Sequence, residues 1–412
     1  MERRAFSQTV WFLDVRESDF SPEDTGWQTK INRKMKEIFD RITTLHWEEP
    51  VLIKCHIGEP RCSTRMLPEY CLSSVEHARN KGFHRICCGD STVVYSGERG
   101  RRENPIGSPG KYLNLARSHG WTEEGPLATP FVILDRPDTS VRGVFEFGEE
   151  EVQLRTDPFN RFKEVFAAGG FHSAGTIINH VHLTLHDLAH TACAVKGLAM
   201  GGASSRGKLM MHQHYTPLVD SEECILCGVC AEHCPEEALK QSGENMPRLD
   251  ESDCIGCGEC VAVCSTGALV MTSQEIYDWD RGRITLPFRM ADYLVGLMEN
   301  RWDRLLNVVH MYNVTRRCDC VDEPQEPMMD HMGFLIGTNP FVVDIMARNL
   351  MRDEFQKPAV QRDSLDATFF FENDPGIAPY DHVKETFHIP MDVKCIRIDM
   401  ASRSSSKTPC YT

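Results

Sequence analysis

Eight cysteines arranged in two short runs are the residues of this chain whose types and spacing point most directly to chemistry. Each run has the form C-x2-C-x2-C-x3-C, which is the spacing that bacterial two-cluster ferredoxins use to bind iron–sulfur cubanes. By the precedent of those proteins, the fourth cysteine of each run ligates the other cluster. We therefore predict two [4Fe-4S] clusters, the first bound by Cys224, Cys227, Cys230 and Cys264 and the second by Cys254, Cys257, Cys260 and Cys234.

Structural zinc sites and disulfide bridges are the alternatives for these cysteines. Zinc sites are built from two ligand pairs, and four cysteines at this spacing repeated twice do not fit that pattern. Pro235 follows the fourth cysteine of the first run, as in ferredoxins, whereas Ser265 stands at the corresponding position of the second. Because thiolate-ligated clusters need a reducing environment, we expect a cytoplasmic protein from an anaerobic or microaerobic prokaryote.

Three segments outside these runs concentrate groups suited to acid–base or metal chemistry. They are Lys54–Glu59 at the end of an apolar stretch, the histidine-rich stretch His180–His190, and Arg316–Cys320 with its two thiols beside two arginines. If the histidine-rich stretch is helical, its histidines at 182, 186 and 190 share one helix face. The alternative is that these segments are polar loops and a solvated helix face. The candidate catalytic residues are Lys54, His56, Glu59, His182, His186, Lys196, His212, Cys318 and Cys320.

The elements that must position these groups alternate between strands and helices. Short runs rich in Val and Ile predict strands at Thr9–Val15, Pro50–Ile57, His84–Tyr95, Thr129–Asp135, Thr176–His182, Leu305–Val314, Gly333–Ile336 and Val393–Met400. Helical periodicity is found at about Lys30–Leu45, Tyr70–Lys81, Lys111–His119, Pro158–Ala168, Pro287–Glu299 and Asn339–Met351. This alternation predicts an α/β fold with a mainly parallel sheet, in which ligands bind at the carboxyl ends of the strands.

The position of the cysteines divides the chain. The simplest organisation is an α/β domain made of residues 1–215 and 276–401, interrupted by a small α+β two-[4Fe-4S] ferredoxin-like insert at residues 216–275. Three consecutive domains are the competing organisation. The Ser-rich, polar tail at residues 402–412 is predicted to be disordered.

Charge and hydropathy exclude two classes of partner. The formal net charge of −15 argues against nucleic acid, because phosphate binding requires a basic surface. Between Glu222 and Cys264, ten acidic residues stand against Lys240 and Arg248, and this excess could steer a basic redox partner protein or simply solvate the surface. No stretch approaches the ~20 apolar residues of a membrane span, and no apolar segment typical of a secretory signal follows the first residues.

The chain resembles a known but uncharacterised family, the "Fe-S center protein" group of the domain of unknown function 362 type, which carries a ferredoxin insert. The resemblance covers about Pro50 to Met351. The motifs that carry it are Lys54-x-His56-x-Gly58-Glu59-Pro60, Asp90-x4-Tyr95-x-Gly97-x-Arg99, His182-x3-His186 with Lys196, Met200-Gly201 with Gly207-Lys208 and His212, the eight cluster cysteines, Cys318-Asp319-Cys320, and Asp330-x2-Gly333 with Pro340-x3-Asp344. The chain departs from the family pattern at Thr184, His190, Ala192, Gly197 and Asn339. The resemblance implies that the α/β part is a module in its own right, but it implies no reaction.

The motifs favour an iron–sulfur oxidoreductase. In this hypothesis the clusters pass low-potential electrons to the Lys-, His- and Cys-lined site, where a small anionic or carbonyl substrate or a bound cofactor is reduced. An electron-transfer component that docks a partner enzyme and a maturation factor that assembles a metallocofactor remain as alternatives. A nucleotide-driven mechanism is disfavoured because Leu209 replaces the Ser or Thr that a Walker A loop requires after Lys208. An additional metal or organic cofactor remains possible.

Overall fold

The computed structural model describes residues 8–95, 97–101, 103–105, 107–186, 189–212, 217–219, 222–232, 234, 237–243, 245–254, 260, 264, 266, 268–271, 286–355, 376–400 and 407–410. The main strands are β1 (Thr9–Asp14), β2 (Val51–Lys54), β3 (Ile86–Asp90), β4 (Phe131–Ile133), β7 (Thr176–His182), β14 (Leu305–Met311), β15 (Gly333–Gly337), β16 (Lys394–Asp399) and β17 (Lys407–Cys410). They form a nine-stranded sheet in the order β17-β16-β1-β15-β14-β7-β2-β3-β4.

The sheet is mainly parallel, as predicted. β14, β7, β2, β3 and β4 pair in parallel with one another, and β1 pairs in parallel with β16. Only β15 and β17 pair antiparallel to their neighbours in this sheet. Strands from both sides of residues 216–275 therefore lie side by side in the same sheet.

Helices cover both faces of this sheet. The helices are α1 (Thr25–Phe39), α2 (Leu72–Asn80), α3 (Gly110–Ser118), α4 (Gly169–Ser173), α5 (Ala194–Gly202), α6 (Ser205–His212), α7 (Val229–Glu232), α8 (Leu286–Met298), α9 (Pro340–Phe355) and α10 (Ala378–Phe387). In β2, Leu52 packs into the apolar cluster that contains residues of α5 and α8, whereas Val51 and Ile53 pack with residues of α1 and α2. This alternation follows from the two-residue period of a strand buried on both faces.

Smaller antiparallel sheets complete the fold. β5 (Glu151–Arg155) pairs with β6 (Glu164–Ala168), and β8 (Thr184–His186) pairs with β9 (His190–Ala192). In the cysteine-rich segment, residues 216–275, β10 (Pro217–Val219) pairs with β13 (Leu269–Met271), and β11 (Leu239–Lys240) pairs with β12 (Arg248–Leu249). This segment has an apolar cluster of its own, formed by Cys230, Leu239, Cys260 and Leu269.

Two local predictions are wrong. The predicted helix Pro158–Ala168 is a turn followed by the strand β6 (Glu164–Ala168). Val165 and Phe166 of β6 are buried and its backbone pairs with β5, so tertiary pairing overrides the apparent periodicity. The predicted disordered tail contains β17, an edge strand in which Pro409 pairs with Ile396. An edge strand tolerates proline because one side of its backbone needs no partner.

Candidate functional site

A cavity of about 930 Å³ lies at the carboxyl edge of the sheet. Four neighbouring strands, β14, β7, β2 and β3, end there, and Lys54 and Asp90 are the last residues of β2 and β3. The carboxyl edge is where open α/β sheets bind ligands, and the volume lies in the range of small-molecule sites. All nine candidate catalytic residues line this cavity: Lys54, His56, Glu59, His182, His186, Lys196, His212, Cys318 and Cys320.

These residues reach the cavity from five parts of the chain. Lys54 ends β2, and His56 and Glu59 follow it in the next loop. His182 ends β7, Lys196 lies in α5, and His212 ends α6. Cys318 and Cys320 belong to the loop between β14 and β15. The topology of the sheet therefore assembles a site from segments that are up to 266 positions apart in sequence (320 − 54).

The histidine-rich stretch is not a helix. It forms the end of β7 followed by the β8–β9 hairpin, in which His186 pairs directly with His190. The spacing of His182, His186 and His190 suits one face of a helix. In the structure, the buried strand β7, which is rich in β-branched residues, is followed by a hairpin, so these histidines lie on strands. His182 and His186 still line the cavity, because alternate residues of an extended chain share a side.

A buried ionic network forms one wall of the cavity. Lys54 Nζ lies 3.2 Å from Asp90 Oδ1, and Arg99 Nε donates to Glu59 Oε1 at 2.7 Å. Arg99 also contacts Asp90 at 3.4 Å and donates to the hydroxyl of Tyr95 at 2.7 Å. Asp90, Tyr95 and Arg99 are not among the nine candidate catalytic residues, although the resemblance motif contains all three. Their role in the wall could not be read from spacing, because ion pairing depends on the folded geometry.

Lys208 is a further cation of this cavity and is not among the nine candidate catalytic residues. Its ammonium group is buried and donates to Ser91 Oγ at 2.7 Å and to the carbonyl of Ala203 at 2.8 Å. Burial lowers the pKa of Lys208 to about 8, against the opposing attraction of Asp135 and Asp90. Because its hydrogen-bond partners are neutral, Lys208 contributes positive charge to the cavity wall at neutral pH.

His182 and Asp319 form a buried pair beside the thiols. The Nδ1 atom of His182 lies 2.8 Å from Asp319 Oδ2, and its Nε2 atom lies 2.6 Å from the carbonyl of Tyr312. Burial opposes charge on both groups, yet their mutual attraction raises the pKa of His182 and lowers that of Asp319. Both ring nitrogens face acceptors, so the imidazole is doubly protonated and holds Asp319 in place.

The other histidines of the cavity are neutral. Burial, aided by nearby cations, lowers the pKa of His56 and of His186 well below its ordinary value and lowers that of His212 to about 4. The Nδ1 atom of His212 is buried and has no hydrogen-bond partner among the described residues. These imidazoles can accept protons or bind a metal ion, and His56 already accepts a hydrogen bond from the backbone N–H of Gly58 at 3.2 Å.

Cys318, Cys320 and Lys196 form the reactive part of the cavity. Lys196 Nζ donates to Cys318 Sγ at 3.3 Å, and the two thiol groups are hydrogen-bonded to each other. The hydrogen bond from Cys320, followed by the charge of Lys196, lowers the pKa of Cys318, whereas the pKa of Cys320 is raised. The ligand atoms of His186, Cys318 and Cys320 lie within 4.8 Å of one another, so this group could also hold a metal ion.

A second, smaller cavity lies in the cysteine-rich segment. Cys224, Cys227 and Cys230 of the first run and Cys264 of the second line it together. This is the set predicted for the first cluster. Among the cysteines predicted for the second cluster, Cys260 belongs to the apolar cluster of the cysteine-rich segment, and Cys234 packs against it. Cys254 is partly buried, and Cys257 lies outside the described residues.

The fold and the main cavity define an α/β protein with a thiol-bearing polar pocket at the carboxyl edge of its sheet. The family model DUF362, a domain of unknown function, matches residues 51–349, and the chain belongs to this family. No curated protein is significantly similar to it. No helix in the described part of the chain has the length and apolar character needed to cross a lipid bilayer.

Proposed function

We propose that the protein is an iron–sulfur oxidoreductase that binds two [4Fe-4S] clusters in its cysteine-rich segment and reduces a small substrate or bound cofactor in the main cavity. The observation that carries this proposal is the convergence of Cys224, Cys227, Cys230 and Cys264 on one cavity. Three cysteines of one run and the last cysteine of the other are the combination that two-cluster ferredoxins use.

The cysteines fit the proposed clusters by the chemistry of their donor set. Four thiols around one cavity match the ligation of a cubane, and no carboxylate of the described residues lines that cavity. When bound, such clusters supply single electrons, at potentials that can be strongly negative. His212 lines the main cavity and Val219 lines the cysteine cavity, seven residues later, so the Cα atoms of these two residues lie at most roughly 25 Å apart.

The residues of the main cavity suit the reduction of an anionic or carbonyl-bearing substrate. Lys208 provides a buried positive charge whose hydrogen-bond partners are neutral, and Lys54 lies beside Asp90 in the ionic wall. The neutral imidazoles of His56 and His212 line the same cavity and can move protons there. His182 has both ring nitrogens engaged, so its role in this proposal is to position Asp319 and the neighbouring thiols.

Anaerobic purification followed by iron and sulfide analysis tests the clusters. We expect about eight irons and about eight sulfides per chain, together with the electron paramagnetic resonance signals of reduced cubanes. Cys264→Ala should retain about four irons, because it removes a ligand of one cluster. Cys87→Ala, a buried cysteine of the sheet, is the matched control and should retain the full iron content. About four irons or fewer in the unmodified protein, or zinc in place of iron, would overturn the proposal.

An electron-transfer component is the second candidate, and the surface of the cysteine-rich segment favours it. Ile225, next to Cys224 in the chain, is 64% exposed, and the same segment exposes the acidic residues Glu222, Glu223 and Glu232. A basic redox partner would fit such a surface, and its reduction should slow as salt concentration rises. One experiment separates the oxidoreductase from the electron-transfer component. If Cys318→Ser and Lys196→Gln leave all electron transfer unchanged, the main cavity is not the site of reduction.

A further inference from the structure

The main cavity contains two thiols whose arrangement suits a more specific chemistry. We infer that Cys318 and Cys320 form a redox-active dithiol/disulfide pair, which stores two electrons and exchanges with a disulfide-bearing substrate in the cavity. The inference rests on the proposed function for the source of the electrons, but the pair itself is argued from the geometry of the loop.

The backbone of this loop brings the two cysteines within bonding reach. The N–H of Val321 donates to the carbonyl of Cys318 at 2.9 Å, which closes a turn over residues 318–321. Cys318 and Cys320 are the first and third residues of this turn, so their Cα atoms lie at most roughly 7 Å apart, and a disulfide needs Cα atoms about 4.4–6.8 Å apart. The sulfur atoms already lie within 4.8 Å of each other and share a hydrogen bond.

The surroundings of the pair distinguish its two sulfur atoms. Lys196 donates to Cys318 Sγ at 3.3 Å, which favours a thiolate on Cys318 as the attacking nucleophile. Cys320 is the more exposed of the two, which suits it to resolve the intermediate. Asp319 between them is held by His182 at 2.8 Å, so the loop is anchored while both sulfur atoms line the cavity.

Thiol–disulfide exchange between this pair and a substrate proceeds in two steps. The Cys318 thiolate attacks a substrate disulfide, forms a mixed disulfide and releases one substrate thiol. Cys320 then attacks the Cys318 sulfur of the mixed disulfide, which releases the second thiol and closes the Cys318–Cys320 bond. Two electrons and two protons reopen that bond to two thiols. Two one-electron carriers of the kind proposed for the cysteine-rich segment supply that number of electrons.

The sequence offers a direct mass-spectrometric test. Trypsin cleaves after Arg317 and next after Arg348, and the peptide between them contains Cys318 and Cys320 and no other cysteine. The anaerobic holoprotein is equilibrated in glutathione buffers from reduced to oxidised, quenched with acid, alkylated with iodoacetamide and digested. We expect the peptide to pass from a doubly alkylated form to an unalkylated form two hydrogens lighter than the dithiol. Cys318→Ser and Cys320→Ser should instead give a single mixed disulfide with glutathione.

The outcomes separate this inference from the proposed function. A peptide that stays doubly alkylated, or that carries two glutathione adducts without closing, overturns the inference whatever the iron content. Closure of the peptide in a protein without iron supports the thiol pair and overturns the clusters. Lys196→Gln provides a further readout, because the pair should still close but react several-fold more slowly with oxidised glutathione at neutral pH. An unchanged rate in that variant would contradict the assignment of Cys318 as the nucleophile.

Discussion

The Nδ1 atom of His182 lies 2.8 Å from the carboxylate of Asp319, and Asp319 is the residue between the two cysteines of the cavity. Strand β7 therefore fixes the loop that carries the thiols. The second ring nitrogen of His182 faces the carbonyl of Tyr312 at 2.6 Å. The imidazolium therefore links the residue that follows β14 to the loop that carries the thiols. This connection makes His182 a positioning residue, although the sequence predicted it as a candidate catalytic residue.

Breaking this pair should destabilise the protein. His182→Gln and Asp319→Asn each leave a buried polar group without its charged partner, which costs about 3–5 kcal/mol in other buried pairs. Urea unfolding followed by circular dichroism measures the loss. Lys34→Gln is the control, because its pair with Glu37 lies on the helix surface at 2.8 Å and should contribute less than about 1 kcal/mol. Equal losses in the buried and surface variants would contradict the pair's role.

The same pair gives a pH dependence with a defined sign. The pKa of His182 is raised in the fold, so its contribution is complete below the ordinary value of 6.5 and is lost as pH rises through the raised pKa. The pKa of Asp319 is lowered, so its contribution is complete above 3.8 and is lost as pH falls through the lowered pKa. The stability difference between the unmodified protein and a His182→Gln/Asp319→Asn double variant should therefore be largest between pH 3.8 and 6.5. A difference that grows steadily above pH 6.5 would contradict the assigned charges.

Gly201 should be sensitive to the addition of a single methyl group. A Cβ atom at this position of α5 would clash with Nζ of Lys54 and lie 3.1 Å from Asp90 Oδ1. We expect Gly201→Ala to displace Lys54 from Asp90 and to cost about 1–3 kcal/mol of stability, as overpacked sites do. Gly110→Ala is the matched control at the start of α3, where a Cβ meets nothing within 4 Å and no loss should occur. Thermal unfolding of the two variants distinguishes them, and similar midpoints would argue against close contact at Lys54.

Lys196 should control the reactivity of Cys318. The ammonium group raises the thiolate fraction of Cys318, so Lys196→Gln should raise the pKa of that thiol and slow its alkylation by iodoacetamide at neutral pH. Each unit of increase lowers the thiolate fraction roughly tenfold below the pKa. The rate is measured as a function of pH on the peptide that follows Arg317. Lys34→Gln should leave the alkylation rate unchanged. A Lys196→Gln rate equal to that of the unmodified protein would show that Lys196 does not control the reactivity of Cys318.

The sequence specified the sheet better than the site within it. The Val- and Ile-rich runs at β1, β7, β14 and β15 predicted strands near their observed bounds, because strands buried on both faces are continuously apolar. The β8–β9 hairpin was missed because histidines four residues apart suit one helix face and equally the two arms of a hairpin.

The candidate site shows the same limit for individual residues. The position of Lys54 at a strand end made it a candidate, since carboxyl edges bind ligands. Arg99 and Asp319 were not candidates, because their partners Glu59 and His182 are 40 and 137 positions away in sequence. Long-range pairing of this kind is set by the folded backbone and leaves no periodic signal in the chain.

The most direct test of the account follows electrons from the cysteine-rich segment to the main cavity. Anaerobic holoprotein with its Cys318–Cys320 pair oxidised is mixed with a limiting one-electron reductant and frozen at increasing times for electron paramagnetic resonance. We expect a reduced-cluster signal that rises and then decays as two electrons leave for the pair, and a signal that persists in Cys318→Ser/Cys320→Ser. A signal that persists equally in both proteins would contradict transfer to this cavity, and the absence of any cluster signal would contradict the iron–sulfur assignment.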